Sequence, residues 1–158
     1  YCMGSLPWQL NDSWPVVSWS AIDYYGNWKA MQYQTRRAFA PVLVNAIREG
    51  EKLRVYVLSD CLKSEKVTLQ LEWTDFQGKV HHRQQVEGML PVNASEVFYE
   101  EDWQKAFAAC DTTASYLRMT LKGKQSRKVL SDEVYYPVYP KDQHLPQAKI
   151  SCKKVLKD

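Results

Sequence analysis

Between residues 41 and 140, apolar and polar residues alternate with a period of two, and this pattern constrains the fold more than any other feature. Successive side chains of a β-strand point to opposite faces, so the alternation predicts strands with one buried face. Turn-forming residues separate the predicted strands, which cover residues 53–60, 66–73, 95–100, 115–122 and 132–139. Short strands spaced in this way predict an immunoglobulin-like antiparallel β-sandwich of about 100 residues.

Two shorter features fit the same sandwich. Residues 75–80 contain Gly78 and predict a hairpin turn directly after the strand at 66–73. Residues 100–110, EEDWQKAFAAC, predict a short helix that is inserted between two strands.

The first forty residues have a different character. Four of the six tryptophans of the chain lie within residues 8–29, beside the adjacent Tyr24 and Tyr25. This density exceeds what the core of a small domain needs. Residues 27–39 then predict a helix, because Asn27 is a residue type that caps helices and Pro41 ends the apolar periodicity.

Composition narrows the range of functions. The net charge of +3 does not indicate a nucleic-acid partner, and no apolar run approaches the roughly 20 residues of a membrane span. The four cysteines are widely spaced and have no histidine at zinc spacing, so no metal site is predicted, and their disulfide state is left open. The three histidines (His81, His82 and His144) lack a positioned serine or cysteine partner for a catalytic triad.

The aromatic segment carries the clearest functional pattern. Indole rings match the apolar C–H faces of sugars, while neighbouring polar side chains bind the hydroxyl groups. Trp8 is followed by Gln9, Asn11 and Asp12, which supply this mixture. We therefore predict that Trp8, Asn11 and Asp12 bind substrate. For the other tryptophans of the segment we prefer packing at a domain interface: Trp14, Trp19 and Trp28.

Residues 3–33, MGSLPWQLNDSWPVVSWSAIDYYGNWKAMQY, resemble the end of the catalytic barrel in β-mannosidases of glycoside hydrolase family 2. The pattern of that family reads roughly G-x-L-Y-W-Q-L-N-D-x-W-P-x-x-S-W-S-x-x-D-Y-x-G-x-W-K-A-x-x-Y, and this chain departs from it at Pro7. Residues 39–44 and 135–142 are also similar to the sandwich domain that follows the barrel in these enzymes.

The resemblance implies a retaining enzyme that hydrolyses terminal β-D-mannose from the non-reducing end of mannosides without a cofactor, in the periplasm, outside the cell or in the lysosome. Such enzymes use two glutamates about 5 Å apart. The family takes them from the fourth and seventh barrel strands, so the resemblance implies no catalytic residue in this chain. Residues 3–10 would form the eighth strand and 27–39 the eighth helix, with Trp8 stacked under the sugar and Asn11 and Asp12 shaping the pocket.

The resemblance also implies three parts. Residues 1–40 would be the C-terminal end of a (β/α)8 catalytic barrel, residues 41–140 the sandwich, and residues 141–158 a linker and the first strand of a further domain. The chain would then be the C-terminal part of a β-mannosidase, inactive alone, with the rest of the barrel as partner and no nucleic-acid or membrane partner. This hypothesis predicts that Trp73 and Trp103 are buried in the sandwich.

Two alternatives remain at this point. A stand-alone sandwich that binds carbohydrate would have several tryptophans on an exposed face of the sandwich. An interaction domain without affinity for sugars is the third hypothesis.

Overall fold

Strands dominate the regular structure in the computed structural model, which describes residues 4–148 and residue 151. The strands of the described residues are β1 Val42–Glu49, β2 Lys52–Ser59, β3 Lys66–Asp75, β4 Val80–Met89, β5 Ala94–Asp102, β6 Ser115–Gly123 and β7 Val129–Tyr135. The described helices are α1 Ala30–Ala38, α2 Trp103–Ala106 and a 3-10 helix at Pro140–Asp142. The chain divides into two units, Tyr1–Leu43 and Val44–Asp158. No described helix is both long and apolar enough to cross a bilayer.

The strands form a three-stranded sheet in the order β1-β2-β5 and a four-stranded sheet in the order β4-β3-β6-β7. Strands β2 and β5 pair antiparallel, and so do β3 with β4, β3 with β6, and β6 with β7. Neighbours such as β2 and β5 are not consecutive, so the chain crosses repeatedly between the two sheets, as in immunoglobulin-like sandwiches. The predicted fold class is confirmed.

The core of the sandwich is formed by the apolar residues that alternate with polar ones along the strands. In β2, Leu53, Val55 and Val57 are fully buried, while the residues between them are half-exposed. The same alternation buries the inner faces of β3 and β6: Val67, Leu69, Leu71, Trp73, Leu117, Met119 and Leu121. Each large apolar side chain contributes roughly 1.5–3 kcal/mol when it is fully buried, so these strands supply most of the driving force for this unit.

Helix α2 is short, and its start is defined by a side-chain cap. The carboxylate of Asp102 accepts hydrogen bonds from the backbone N–H groups of Gln104 and Lys105, at 3.0 and 3.1 Å. These donors have no partner inside the helix, so the cap stabilises the first turn. The predicted short helix is confirmed, although it spans only four residues.

The first residue of α2 places an indole in the core. Trp103 is 9% exposed, and its ring centroid lies 4.8 Å from that of Phe107 and 6.0 Å from that of Tyr135. The guanidinium carbon of Arg48 lies 4.5 Å from the centroid of the Trp103 ring, in a cation–π contact. The insertion therefore contributes to the packing of the sandwich.

Helix α1 begins later than predicted, and Asn27 is not its cap. The N-cap residue is Lys29, and its side chain makes no capping hydrogen bond. The side chain of Asn27 donates instead to Oδ2 of Asp23 at 2.9 Å, and its N–H donates to Oδ1 at 2.8 Å. The prediction was wrong because Asp23 forms a local turn that competes with the helix for these groups.

The strand predicted at residues 3–10 is not formed over its described part, residues 4–10. Pro7 has no N–H to donate to a strand ladder. The carbonyl groups of Gln9 and Leu10 instead accept hydrogen bonds from the N–H groups of Ala21 and Ile22, at 3.0 and 2.9 Å. This stretch is therefore held as part of a loop.

The last strand of the sandwich lies earlier than the predicted residues 132–139. Strand β7 ends at Tyr135, shortly before Pro137, because proline cannot donate to a strand ladder. The polar linker that follows is attached to the sandwich at His144. Its N–H donates to the carbonyl oxygen of Thr113 at 2.8 Å, and its Nδ1 lies 3.0 Å from Oγ1 of Thr113.

The strand predicted at the end of the chain falls within residues 149–158, which lie outside the described residues apart from Ser151. That prediction, and the division into three parts to which it belongs, stays a prediction.

Candidate functional site

The backbone of the aromatic segment is tied together by hydrogen bonds between residues far apart in sequence. The N–H of Asp12 donates to the carbonyl oxygen of Ile22 at 3.2 Å, and the N–H of Lys29 donates to that of Ala21 at 2.9 Å. Asn11 and Ile22 also form an isolated parallel bridge. Residues 9–12, 21–22 and 29 are therefore held side by side in one loop.

An ion pair between a buried carboxylate and a partly exposed ammonium group lies inside this loop. Asp12 is 3% exposed, and its Oδ2 lies 2.7 Å from Nζ of Lys29. The hydroxyl group of Ser18 donates to Oδ1 of the same carboxylate. Nζ of Lys29 also donates to Oγ of Ser20 at 2.7 Å and to the carbonyl oxygen of Ser18 at 3.3 Å. The polar groups buried in the loop thus satisfy each other.

The electrostatics of Asp12 reflect these contacts. The hydrogen bond from Lys29, followed by that from Ser18, lowers the pKa of the Asp12 carboxyl to about 2, against the opposing effect of burial. The carboxylate is therefore charged at neutral pH, and both of its oxygens are engaged inside the loop. Asp12 positions the segment through these bonds.

The side chains of Trp8 and Asn11 are exposed to solvent, unlike that of Asp12. The side chain of Trp8 is 75% exposed, and the Trp8–Gln9 peptide bond is cis. Asn11 is exposed, and its amide group donates to the carbonyl oxygen of Asp12 at 3.2 Å. Of the three predicted substrate-binding residues, Trp8 and Asn11 therefore expose their side chains to solvent, and Asp12 is buried.

The other rings of the segment are also exposed in this chain: Trp14 at 65%, Trp19 at 72%, Trp28 at 43% and Phe39 at 67%. Packing of Trp28 at a domain interface stays a prediction. Helix α1, which lies between Trp28 and Phe39, buries none of its own residues. The ring of Trp28 packs edge-on against Tyr33, with centroids 5.3 Å apart.

Lys29 is the residue of this loop that the sequence reasoning did not single out, and it pairs with Asp12. Lys29 matches the family pattern directly after Trp28. The sequence analysis assigned it no role beyond its place within the helix predicted at residues 27–39. A buried carboxylate requires a cation or several donors, but the burial of Asp12 is evident only in the folded loop, so the sequence carries no signal for this pair.

Six described carboxyl groups have pKa values that hydrogen bonds or nearby cations lower: Asp12, Asp23, Asp75, Glu87, Glu100 and Asp111. A carboxylic acid that donates a proton near neutral pH needs a pKa raised by its surroundings. Within the described residues there is also no group of three side chains suited to hold a metal ion.

The tryptophans of the sandwich unit lie in its core. Trp73 is fully buried and Trp103 is 9% exposed, which confirms the prediction of the first hypothesis. The ring centroid of Trp73 lies 6.1 Å from that of Tyr99 in an edge-to-face arrangement. The sandwich therefore has no exposed tryptophan platform among its described residues.

Comparisons with known proteins agree with this architecture. β-Mannosidase A of Aspergillus clavatus is 30% identical over 94% of this chain, which spans 17% of the length of that relative. The β-mannosidase of Capra hircus is 41% identical over 44% of this chain, which matches 8% of its length. This chain therefore spans less than a fifth of the curated relatives that it matches.

Two solved structures are similar to this one. The crystal structure of β-D-mannosidase from Dictyoglomus thermophilum matches 88% of this chain and 16% of its own, with a TM-score of 0.73 and 29% identity. The exo-chitosanase of Amycolatopsis orientalis matches 82% of this chain and 15% of its own with a TM-score of 0.66 but 19% identity, which shows the shared fold alone. The profile of the family described as Mannosidase Ig/CBM-like domain matches residues 51–142, and the chain belongs to that family.

Proposed function

We propose that this chain is the C-terminal part of a retaining β-mannosidase, which hydrolyses terminal β-D-mannose from the non-reducing end of mannosides. The observation that carries the proposal is the match to the β-D-mannosidase of Dictyoglomus thermophilum, which extends over 88% of the chain and includes both units. The curated relatives named β-mannosidase support the same activity. The proposal concerns the whole enzyme, of which this chain is a small part.

Within that enzyme, residues 1–40 would complete a (β/α)8 catalytic barrel, whose remainder is the partner of this segment. The active sites of such barrels lie at the C-terminal ends of the strands. The loop that starts at Trp8 would then form one wall of the site. Residues 41–140 would be the sandwich that follows the barrel, and residues 141–158 would lead into a further domain.

Each predicted site residue has a role that suits its surroundings. The exposed indole of Trp8 would stack on the apolar face of the mannose ring, and the amide group of Asn11 would bind a hydroxyl group. Asp12 would act indirectly, since Lys29 and Ser18 occupy its carboxylate. This loop would therefore position the sugar, while the chemistry would depend on glutamates from other barrel strands.

The chain alone is proposed to be inactive. Retaining hydrolysis requires one carboxyl group as nucleophile and a second one, with a raised pKa, as acid. The pKa values of Asp12, Asp23, Asp75, Glu87, Glu100 and Asp111 are lowered, so these six carboxyl groups are not prepared to protonate a leaving group. The two glutamates of the reaction would come from the rest of the barrel.

The alternative of a stand-alone module with a tryptophan platform has less support. Both tryptophans of the sandwich unit belong to its core, and the four described tryptophans outside it lie in the segment that resembles the barrel.

The proposal is tested with the full-length protein that contains this chain. We expect it to hydrolyse p-nitrophenyl β-D-mannoside much faster than p-nitrophenyl β-D-glucosaminide, and proton NMR should show β-mannose as the first product, because a double displacement retains the configuration. A preference for the glucosaminide, or α-mannose as the first product, would contradict the proposed activity.

A further inference from the structure

Trp8 and Trp19 occupy matching positions on two neighbouring stretches of the aromatic segment. The isolated bridge between Asn11 and Ile22 is parallel, so the two stretches run side by side in the same direction. Trp8 precedes Asn11 by three residues, and Trp19 likewise precedes Ile22 by three residues. The two tryptophans therefore lie at the same end of this pairing.

The backbone next to the two tryptophans is joined directly. The N–H of Ala21 donates to the carbonyl oxygen of Gln9 at 3.0 Å. Gln9 follows Trp8 immediately, and Ala21 lies two residues after Trp19. Because one residue of chain spans at most about 3.8 Å, this bond keeps the two tryptophans close to each other in the loop.

Both indole rings are accessible and separate. Trp8 is 75% exposed and Trp19 is 72% exposed. Within the described part of the segment, ring contacts join other aromatic residues and involve neither of these two indoles. The loop therefore offers two independent apolar surfaces.

The backbone on either side of Trp19 is anchored. The N–H of Ser20 donates to Oγ of Ser18 at 3.0 Å, and Oγ of Ser20 donates to the carbonyl oxygen of Ile22 at 2.9 Å. Nζ of Lys29 donates to the carbonyl oxygen of Ser18 at 3.3 Å and to Oγ of Ser20 at 2.7 Å. Ser20 is buried, whereas the indole between the two serines is exposed.

Trp14 lacks this support, although it is 65% exposed in the same segment. Its neighbours Ser13 and Pro15 are exposed, and among the described residues no hydrogen bond holds either of them. A ring that packs against another domain can take its position from that domain. A ring that binds a substrate has to be held in place beforehand, because ordering it on binding costs affinity. The anchored backbone therefore supports a binding role for Trp19.

The side-by-side arrangement favours two neighbouring sugars over the two faces of one sugar. Adjacent extended stretches lie about 4.8 Å apart. A sugar enclosed between two rings needs a contact distance of about 3.5–4.0 Å on each side, which exceeds that spacing. Rings at matching positions of adjacent stretches are thus suited to consecutive units of one ligand.

We propose that Trp19 binds the second sugar of the substrate, the unit joined to the terminal mannose, while Trp8 stacks on the terminal mannose. Each sugar presents an apolar C–H face to its ring. This inference rests on the proposed function, and it replaces the packing role that the sequence predicted for Trp19. Trp19 then determines the preference for mannosides that have a second sugar.

The test uses the full-length enzyme and compares β-1,4-mannobiose, which has a second sugar, with β-D-mannosyl fluoride, which has none. We expect Trp19→Ala to lower kcat/KM for mannobiose about tenfold relative to that for the fluoride, mainly through a higher KM. Trp19→Tyr should restore most of the wild-type ratio because it keeps a flat ring, whereas Trp19→Leu should not. The matched control Trp14→Ala should leave the ratio unchanged.

Equal losses for both substrates, or a ratio restored by leucine as fully as by tyrosine, would show that Trp19 only packs against its surroundings and would overturn the inference. An unchanged ratio in Trp19→Ala would overturn it as well. If the wild-type enzyme hydrolyses the fluoride and the ratio does not respond to Trp19, this inference fails alone. If the wild-type enzyme hydrolyses neither mannoside, the proposed function fails and this inference fails with it.

Discussion

Lys29 is the residue on which the shape of the aromatic segment depends. Its ammonium group joins Asp12, Ser18 and Ser20, which come from two stretches of the loop. Among the described apolar residues of this segment, only Ala21 is buried, so packing contributes little here. The loop is therefore held by polar contacts.

The pKa of Asp12 tests this arrangement. Because the pKa in the folded chain is about 2, below the ordinary 3.8, the charged carboxylate stabilises the fold above about pH 4. That contribution is lost as the pH falls from about 4 to about 2. We expect a carboxyl-carbon NMR titration to give a midpoint near 2 for Asp12. In a Lys29→Met variant the midpoint should rise towards the ordinary value, and a wild-type midpoint near 4 would show that the ion pair is not formed.

The role of Trp8 is tested in the full-length enzyme. We expect Trp8→Ala to lower kcat/KM for p-nitrophenyl β-D-mannoside about 100-fold, or about 2.7 kcal/mol, because the sugar loses its stacking surface. Tyr139→Ala is a matched control, since Tyr139 is 76% exposed and lies outside the aromatic segment. Equal effects of the two substitutions would remove Trp8 from the site.

At the scale of single elements, helix α2 depends on its cap. We expect Asp102→Ala to lower the free energy of unfolding by about 1 kcal/mol, because the N–H groups of Gln104 and Lys105 lose their acceptor. Asp102→Asn should retain most of the stability, since asparagine caps helices equally well. Denaturant unfolding of the three chains measures both effects. Similar losses in the two variants would indicate that the charge matters more than the cap.

The edges of the two sheets meet where Gly88 in β4 faces Phe98 in β5. A Cβ atom at position 88 would lie 2.8 Å from Cε1 of Phe98, which is closer than packed carbon atoms approach. We therefore expect Gly88→Ala to cost about 1–3 kcal/mol of unfolding free energy. Adding Phe98→Leu should recover part of that loss in a double-mutant cycle. Strictly additive losses would show that the two positions do not touch.

For the whole molecule, strands β2, β3 and β6 were predictable because apolar and polar residues alternate where one face is buried, whereas β1 and β4 were not among the predicted strands. Residues such as Leu69, Leu71 and Leu117 could be placed in the core from their spacing. The failure of Asn27 to cap helix α1 could not be predicted, because Asp23 offers a competing turn that propensity does not reveal. The ion pair of Asp12 and Lys29 joins residues seventeen positions apart, and contacts at that separation depend on the folded loop.

For the candidate site, the sequence identified candidate residues but not their contacts. Trp8 and Asn11 were identified from residue type and order, and the structure exposes both side chains. Whether they touch a sugar stays a prediction. The ring contacts among Phe76, Tyr116 and Tyr136 could not be predicted from the sequence, because these residues come from separate segments that only the folded sheet brings together.

The release of p-nitrophenol from p-nitrophenyl β-D-mannoside tests the central claim most directly, when it is measured side by side for the full-length protein and for the 158-residue chain. We predict steady release by the full-length protein and no release above background by the chain alone, because this chain would supply a wall of the site without its two glutamates. Release by the isolated chain, or none by the folded full-length protein, would contradict the account.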